Sequence, residues 1–151
     1  MSTVALRPVT EAELPLLAEI LAELEDDGAP QPLAELRAAW QRMRVFPDYV
    51  CHLAESDGEI VGTLSMIVFP VLTVPGRNEA IVEAVVIRRA HRGRGLGRAM
   101  MRAAMDMAAG KGAYKLALSS NLRRLDAHRF YDGMGFARHG FSFSIDIAGH
   151  A

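Results

Sequence analysis

The chain has 151 residues, half of them hydrophobic and 23% charged, with a net charge of −1. That length suits one domain, here residues 1–151, with a core large enough to need no staples, and the composition excludes disordered, collagen-like and low-complexity chains. A single cysteine, Cys51, excludes an intramolecular disulfide, no apolar run approaches the ~18 residues of a membrane span, and the first residues lack a signal peptide's basic start and apolar core, so a cytoplasmic protein is expected.

In chain order, a strand is expected at 3–9, then Thr10 as a helix N-cap with Glu11 and Glu13 in the first turn. Leu14, Leu17, Leu21 and Leu24 keep helical spacing to about 25, and the Asp26-Asp27-Gly28-Ala29-Pro30 stretch breaks it. A second helix follows at 33–45, with Leu36, Ala39, Trp40 and Met43 on one side. Strands at 49–55 and 59–69 meet at Asp57-Gly58, a hairpin signal because both residues tolerate positive φ. A loop at 70–78 leads to a strand at 80–87, a glycine-rich turn at 92–97 and a long helix to about 109. An apolar strand at 114–119, a helix at 125–134 ended by Gly135, and an alternating strand at 141–147 complete a mixed α/β domain.

Charge is unevenly spread. Seven acids and no Lys or Arg lie between Glu11 and Pro30, whereas six arginines (88, 89, 92, 94, 98 and 102) and no acid lie between Arg88 and Arg102. A local basic cluster on a near-neutral chain argues against nucleic-acid binding, which needs a broad basic face, and suits one compact polyanion.

The basic cluster sits in the most informative segment, Val85-Val86-Ile87-Arg88-Arg89-Ala90-His91-Arg92-Gly93-Arg94-Gly95-Leu96-Gly97-Arg98. Glycines let backbone amides approach a ligand closely, and a helix start leaves amides unpaired with a partial positive charge. Together they predict a phosphate or pyrophosphate cradle. It is not a Walker A loop, which needs Gly-Lys-Ser/Thr, and not a dinucleotide fingerprint, whose third glycine would fall on Arg98 or Met100.

Arg92-x-x-Gly95-x-Gly97 after a valine-rich strand resembles the acyl-CoA-binding motif of the GNAT acetyltransferase superfamily. A second motif agrees: Ser119-Ser120-Asn121, then Ala127-His128-Arg129-Phe130-Tyr131-Asp132-Gly133-Met134-Gly135-Phe136. The resemblance implies a central, mixed and mostly antiparallel sheet of about six or seven strands flanked by four helices, with splayed central strands holding acetyl-CoA. It further implies that amides of Arg92, Gly93, Arg94, Gly95, Leu96 and Gly97 bind the pyrophosphate, with Arg98 adding positive charge beside it. Main-chain groups of Val85, Val86 and Ile87 would pair with the pantetheine arm, Asn121 would bond the same arm, and the helix of Arg129 would flank the cofactor.

Amine acetylation needs a base to free the amine's lone pair, a donor for the thioester oxygen and an acid for the departing sulfur. Tyr131 occupies the family's tyrosine position and is the candidate acid. Glu83, in the otherwise apolar Ile81-Val82-Glu83-Ala84-Val85-Val86-Ile87, is the candidate base, on the expectation that burial raises its pKa; an edge residue facing water or paired with an arginine is the alternative. Glu79 shares its strand parity and ranks lower, and His128 is read as a structural hydrogen bonder. His52, His91, His139 and His150 have no metal spacing, so no metal site is assigned. Cys51 is expected to be a buried small apolar residue, which favours direct attack over an acyl-enzyme, and the methionines at 100, 101, 105 and 107 are expected to pack the helix.

The acceptor is expected to be a small-molecule primary amine. Stretches 54–62 and 121–131 look similar to aminoalkylphosphonate N-acetyltransferases, and Arg123 and Arg124 could meet a phosphonate or phosphate. A protein N-terminus or lysine remains open as acceptor, as does a non-catalytic acyl-CoA-binding sensor. Phe141, Phe143 and Ile145 form one apolar face of the last strand that a homodimer could cover.

Overall fold

A computed structural model describes residues 2–25 and 28–147, so Asp26, Asp27 and His150 lie outside the described residues. The chain forms two units, Met1–Leu118 and Ser119–Ala151. The first carries five strands, β1 (Ala5–Pro8), β2 (Tyr49–Ser56), β3 (Glu59–Pro70), β4 (Asn78–Ile87) and β5 (Ala113–Ala117), and three helices, α1 (Leu14–Ala22), α2 (Leu33–Met43) and α3 (Leu96–Gly110). The second carries α4 (Leu125–Gly133). Among the described residues no helix is long and apolar enough to cross a membrane.

The strands lie in sequence order, β1 to β4 antiparallel and β5 parallel to β4. Asp57 (φ 51°) and Gly58 (φ 77°) both adopt positive φ between β2 and β3, the backbone twist that two-residue hairpins favour. Ahead of α1, a single 3-10 turn spans Glu11–Glu13. Here Glu13 closes a capping box with Thr10, whose N–H donates to it at 2.9 Å. Glu13 also takes the Arg7 guanidinium at 2.7 and 3.0 Å, which holds its carboxyl down at about 2. The helix ends at Ala22, a turn earlier than leucine spacing predicts, and Leu24 is left at the surface.

Each sheet face buries its own layer. Cys51, Leu53 and Val86 join Val9 and the α1 residues Leu14, Leu17 and Ile20, with Leu36, Trp40 and Met43 of α2 at the margin. Residues of opposite parity, Leu64, Met66, Val68, Ala80 and Val82, are buried on the other face, where α3 contributes Met100, Met101, Ala104 and Ala108. The expected methionine packing holds at 100 and 101, while Met105 is exposed.

One irregularity shapes the sheet. Glu83 pairs with Ser65 and Val86 with Thr63, so β4 carries one residue more than β3 across this step. The extra residue forms a bulge in which Ala84 adopts φ 49°, a left-handed conformation uncommon outside glycine. The bulge reverses side-chain parity, so Val86 reaches the α1 layer although Val82 faces the other way.

In the second unit, α4 ends in a Schellman motif. Gly135 (φ 89°) donates to the Asp132 carbonyl and Phe136 to that of Tyr131, and the Tyr131 and Phe136 rings meet edge-on at 5.5 Å. The strand expected at 141–147 does not form: this segment has no ladder partner among the described residues, and Phe141, Phe143, Ile145 and Ile147 are 72–91% exposed. The sheet therefore has five strands rather than six or seven. Alternation defines an apolar face, but only a partner's backbone makes a strand.

Candidate active site

The ladder between β4 and β5 ends at Ile81 and Ala117, while β4 runs on to Ile87. From Val82 onward β4 therefore has no ladder partner on its β5 side among the described residues, which leaves the kind of edge that a strand-like ligand needs. Val86 is buried and Val85 and Ile87 are half-buried at its end.

This edge runs into the glycine turn. Gly93 (φ 73°) and Gly95 (φ 76°) take the left-handed conformation, and a Cβ on either would meet nothing within 4 Å, so the glycines serve backbone geometry and leave open space above it. Gly95 is the N-cap of α3, and Leu96 and Gly97 are its first residues. Leu96 is buried and anchors the helix start, while Gly97 has ordinary helical backbone. Beside the turn lies a concave surface of about 350 Å³ lined by Ser2, Arg94, Gly95, Arg98, Ala99 and Arg102. An open amide cradle rimmed by guanidinium groups fits a pyrophosphate.

The acidic and basic segments meet at this loop. Arg89 N–H donates to Glu23 Oε2 at 2.7 Å, and the Arg92 guanidinium lies 3.9 Å from the same carboxylate. Arg92 Nε also donates to the Ile87 carbonyl at 2.9 Å. Arg92 thus braces the turn with its side chain, a role its expected place among the cradle amides did not reveal. Arg94 lies 3.2 Å from His91 Nδ1, and Arg98 is exposed on α3.

Glu83 differs from expectation. It is exposed rather than buried, as is Ile81 on the same sheet face, and the Tyr49 hydroxyl donates to its Oε1. Glu79 is committed to other partners: Tyr114 donates to it at 2.7 Å and Lys115 lies at 3.1 Å. Cys51 is buried against Thr63 at 3.6 Å, and burial pushes its thiol up, as suits an inert core residue.

In the second unit Tyr131 is half-buried, and desolvation pushes its phenol above the ordinary value. His128 Nε2 lies 2.8 Å from the Asn121 carbonyl, the structural bond expected of it. Asn121 Oδ1 accepts from Arg123 N–H at 2.9 Å, closing a local turn, and Arg129 pairs with Asp126 on its own helix. Among the described residues no cluster of three His, Cys, Asp or Glu could hold a metal.

Four features are not written in any one stretch of sequence: the Ala84 bulge, the Tyr49 contact and the bracing by Glu23 and by the Arg92 side chain. None has a local signal, since each depends on which strands and loops become neighbours.

The fold is that of an acyltransferase. A family model described as the acetyltransferase (GNAT) family matches residues 14–136, and the chain belongs to that family. It is 31% identical to glucosamine 6-phosphate N-acetyltransferase of Trypanosoma brucei brucei, over 94% of this chain and 95% of that protein. Its structure is similar to one from Agrobacterium tumefaciens (TM-score 0.84, 31% identity, covering 95% of this chain and 99% of the other). An acetyltransferase from Trypanosoma brucei is similar as well (TM-score 0.78, 29% identity, covering 95% and 99%).

Proposed function

We propose that this protein binds acetyl-CoA along β4 and the turn before α3, and transfers the acetyl group to the primary amine of a small molecule. The observation that carries this reading is the continuity of the unpaired β4 edge with the left-handed Gly93 and Gly95. An extended amide-bearing arm and a pyrophosphate need these two features side by side, a strand edge and an amide cradle. The family match spans parts of both units, which supports treating residues 1–151 as one functional domain.

Bound acetyl-CoA supplies an activated acetyl thioester. Glu83, directly or through water, takes the proton that the acceptor nitrogen must lose. Backbone N–H near Val85 and Val86 would donate to the thioester oxygen, and Tyr131 would supply the proton that a departing thiolate needs. Burial that disfavours phenolate supports the last role, because it keeps Tyr131 a donor. The thiol of Cys51, buried and held protonated, supports direct attack over an acyl-enzyme.

The relative that acts on glucosamine 6-phosphate, by its name, makes phosphorylated amino sugars the first acceptors to try. The test is release of free coenzyme A from acetyl-CoA across glucosamine 6-phosphate, aminoalkylphosphonates, polyamines, aminoglycosides and short peptides. Release that depends on a small amine is expected. Release with peptides alone would make the acceptor a polypeptide, and acetyl-CoA binding without release on any amine would favour a non-catalytic binding module.

A further inference from the structure

Tyr49 and Glu83 lie on the same sheet face, two strands apart. Tyr49 stands opposite Ile67, which stands opposite Ile81, and Glu83 stands opposite Ser65. With strands ~4.8 Å apart, β2 and β4 are roughly 10 Å from each other, so only long side chains can meet across β3. These two do, the Tyr49 hydroxyl donating to Glu83 Oε1. The other carboxylate oxygen, Oε2, has no partner among the described residues.

Tyr49 is itself firmly held. The Phe46 ring meets it edge-on at 6.4 Å. The preceding residue, Asp48, is fixed twice, its carbonyl by Val68 N–H at 3.0 Å and its carboxylate by Lys111 at 2.5 Å. Glu83, by contrast, stands exposed at the last position before the Ala84 bulge and past the final β4–β5 pair. An exposed glutamate without an anchor samples many rotamers, and proton transfer needs one.

We propose that Tyr49 is a positioning residue for the acetyl-transfer reaction, holding Glu83 by one carboxylate oxygen so that the other is presented to the acceptor nitrogen. The inference rests on the reading of Glu83 as the base. It assigns the start of β2, far from both family motifs in sequence, a part in the acceptor side of the site.

Four proteins test it: wild type, Tyr49→Phe, Glu83→Gln and the double variant, each run on the amine panel with acetyl-CoA affinity measured by calorimetry and folding by thermal melt. Phenylalanine keeps the ring against Phe46 and removes only the hydroxyl. Tyr49→Phe is expected to lower kcat about tenfold, with the melting temperature and the Kd for acetyl-CoA unchanged. In the Glu83→Gln background it is expected to cause no further loss. Tyr49→Phe at wild-type kcat, beside an impaired Glu83→Gln, would overturn the role of Tyr49 alone. An equal loss in both backgrounds would overturn it too, by showing that Tyr49 acts apart from Glu83. Glu83→Gln at wild-type kcat would remove the base and its positioning residue together, and no turnover by wild type on any amine would remove the reading beneath both.

Discussion

The Tyr131 ring lies edge-on to Phe130 at 5.2 Å and to Phe136 at 5.5 Å, and burial favours its neutral phenol. The ring packs at the cap of α4, whereas the proposed role as proton donor belongs to the hydroxyl, so the two can be tested separately. Tyr131→Phe is expected to slow turnover by ~10–100-fold with little change in acetyl-CoA affinity or melting temperature. Unchanged turnover in steady-state assays would remove Tyr131 from the mechanism. Ala84 offers a second test at this scale. Its φ of 49° suits glycine, tolerates alanine and opposes a β-branched side chain. Ala84→Val is expected to destabilise the fold by about 1–3 kcal/mol in urea denaturation, and Ala84→Gly to cost far less. Equal stability of the two variants would mean that the bulge carries no strain.

Among the elements, the β4–turn–α3 unit was legible because its signals are local. Three glycines among arginines at a strand-to-helix junction predict an amide cradle, and two of those glycines prove to be left-handed. Gly95→Glu should abolish acetyl-CoA binding in calorimetry, since it combines positive-φ strain with a negative charge where the pyrophosphate would sit. Normal binding would dismiss the cradle. Leucine spacing carried α1 to about 25, but the helix ends at Ala22 and Glu23 turns to the Arg89 amide. Residues 141–147 alternate as a strand should, yet no backbone in the described residues pairs with them.

For the whole molecule, pH dependence of stability follows from two groups. His52 is buried with Nδ1 unpartnered, and burial together with nearby Lys111 lowers its pKa from the ordinary 6.5. Below that value the unfolded chain binds a proton that the folded chain does not, so stability should fall as pH drops through 6.5 toward the lowered value. Glu13 adds a second loss at lower pH. Its carboxyl is held at about 2 against an ordinary 4.5, so the stability it contributes is complete above 4.5 and disappears as pH falls toward 2. Urea denaturation across pH 4–7.5 should show the first decline, and His52→Gln should flatten it near pH 6. A decline that persists unchanged in that variant would assign it to other groups.

Sequence alone determined the kinds and order of the elements from β1 to α4, the family, the hairpin at Asp57-Gly58, the glycine turn before α3 and the helix cap at Gly135. These rest on periodicity and on backbone conformations that a few neighbouring residues dictate. Tertiary structure alone decided that β4 bulges at Ala84, that its edge past Ile81 stays unpaired, that Glu83 stands exposed and meets Tyr49, and that Glu23 and Arg92 brace the turn. Apart from the short Arg92–Ile87 bond, these depend on contact or register between segments distant in the chain, and register is set by the packing of the whole sheet rather than by any one stretch of it.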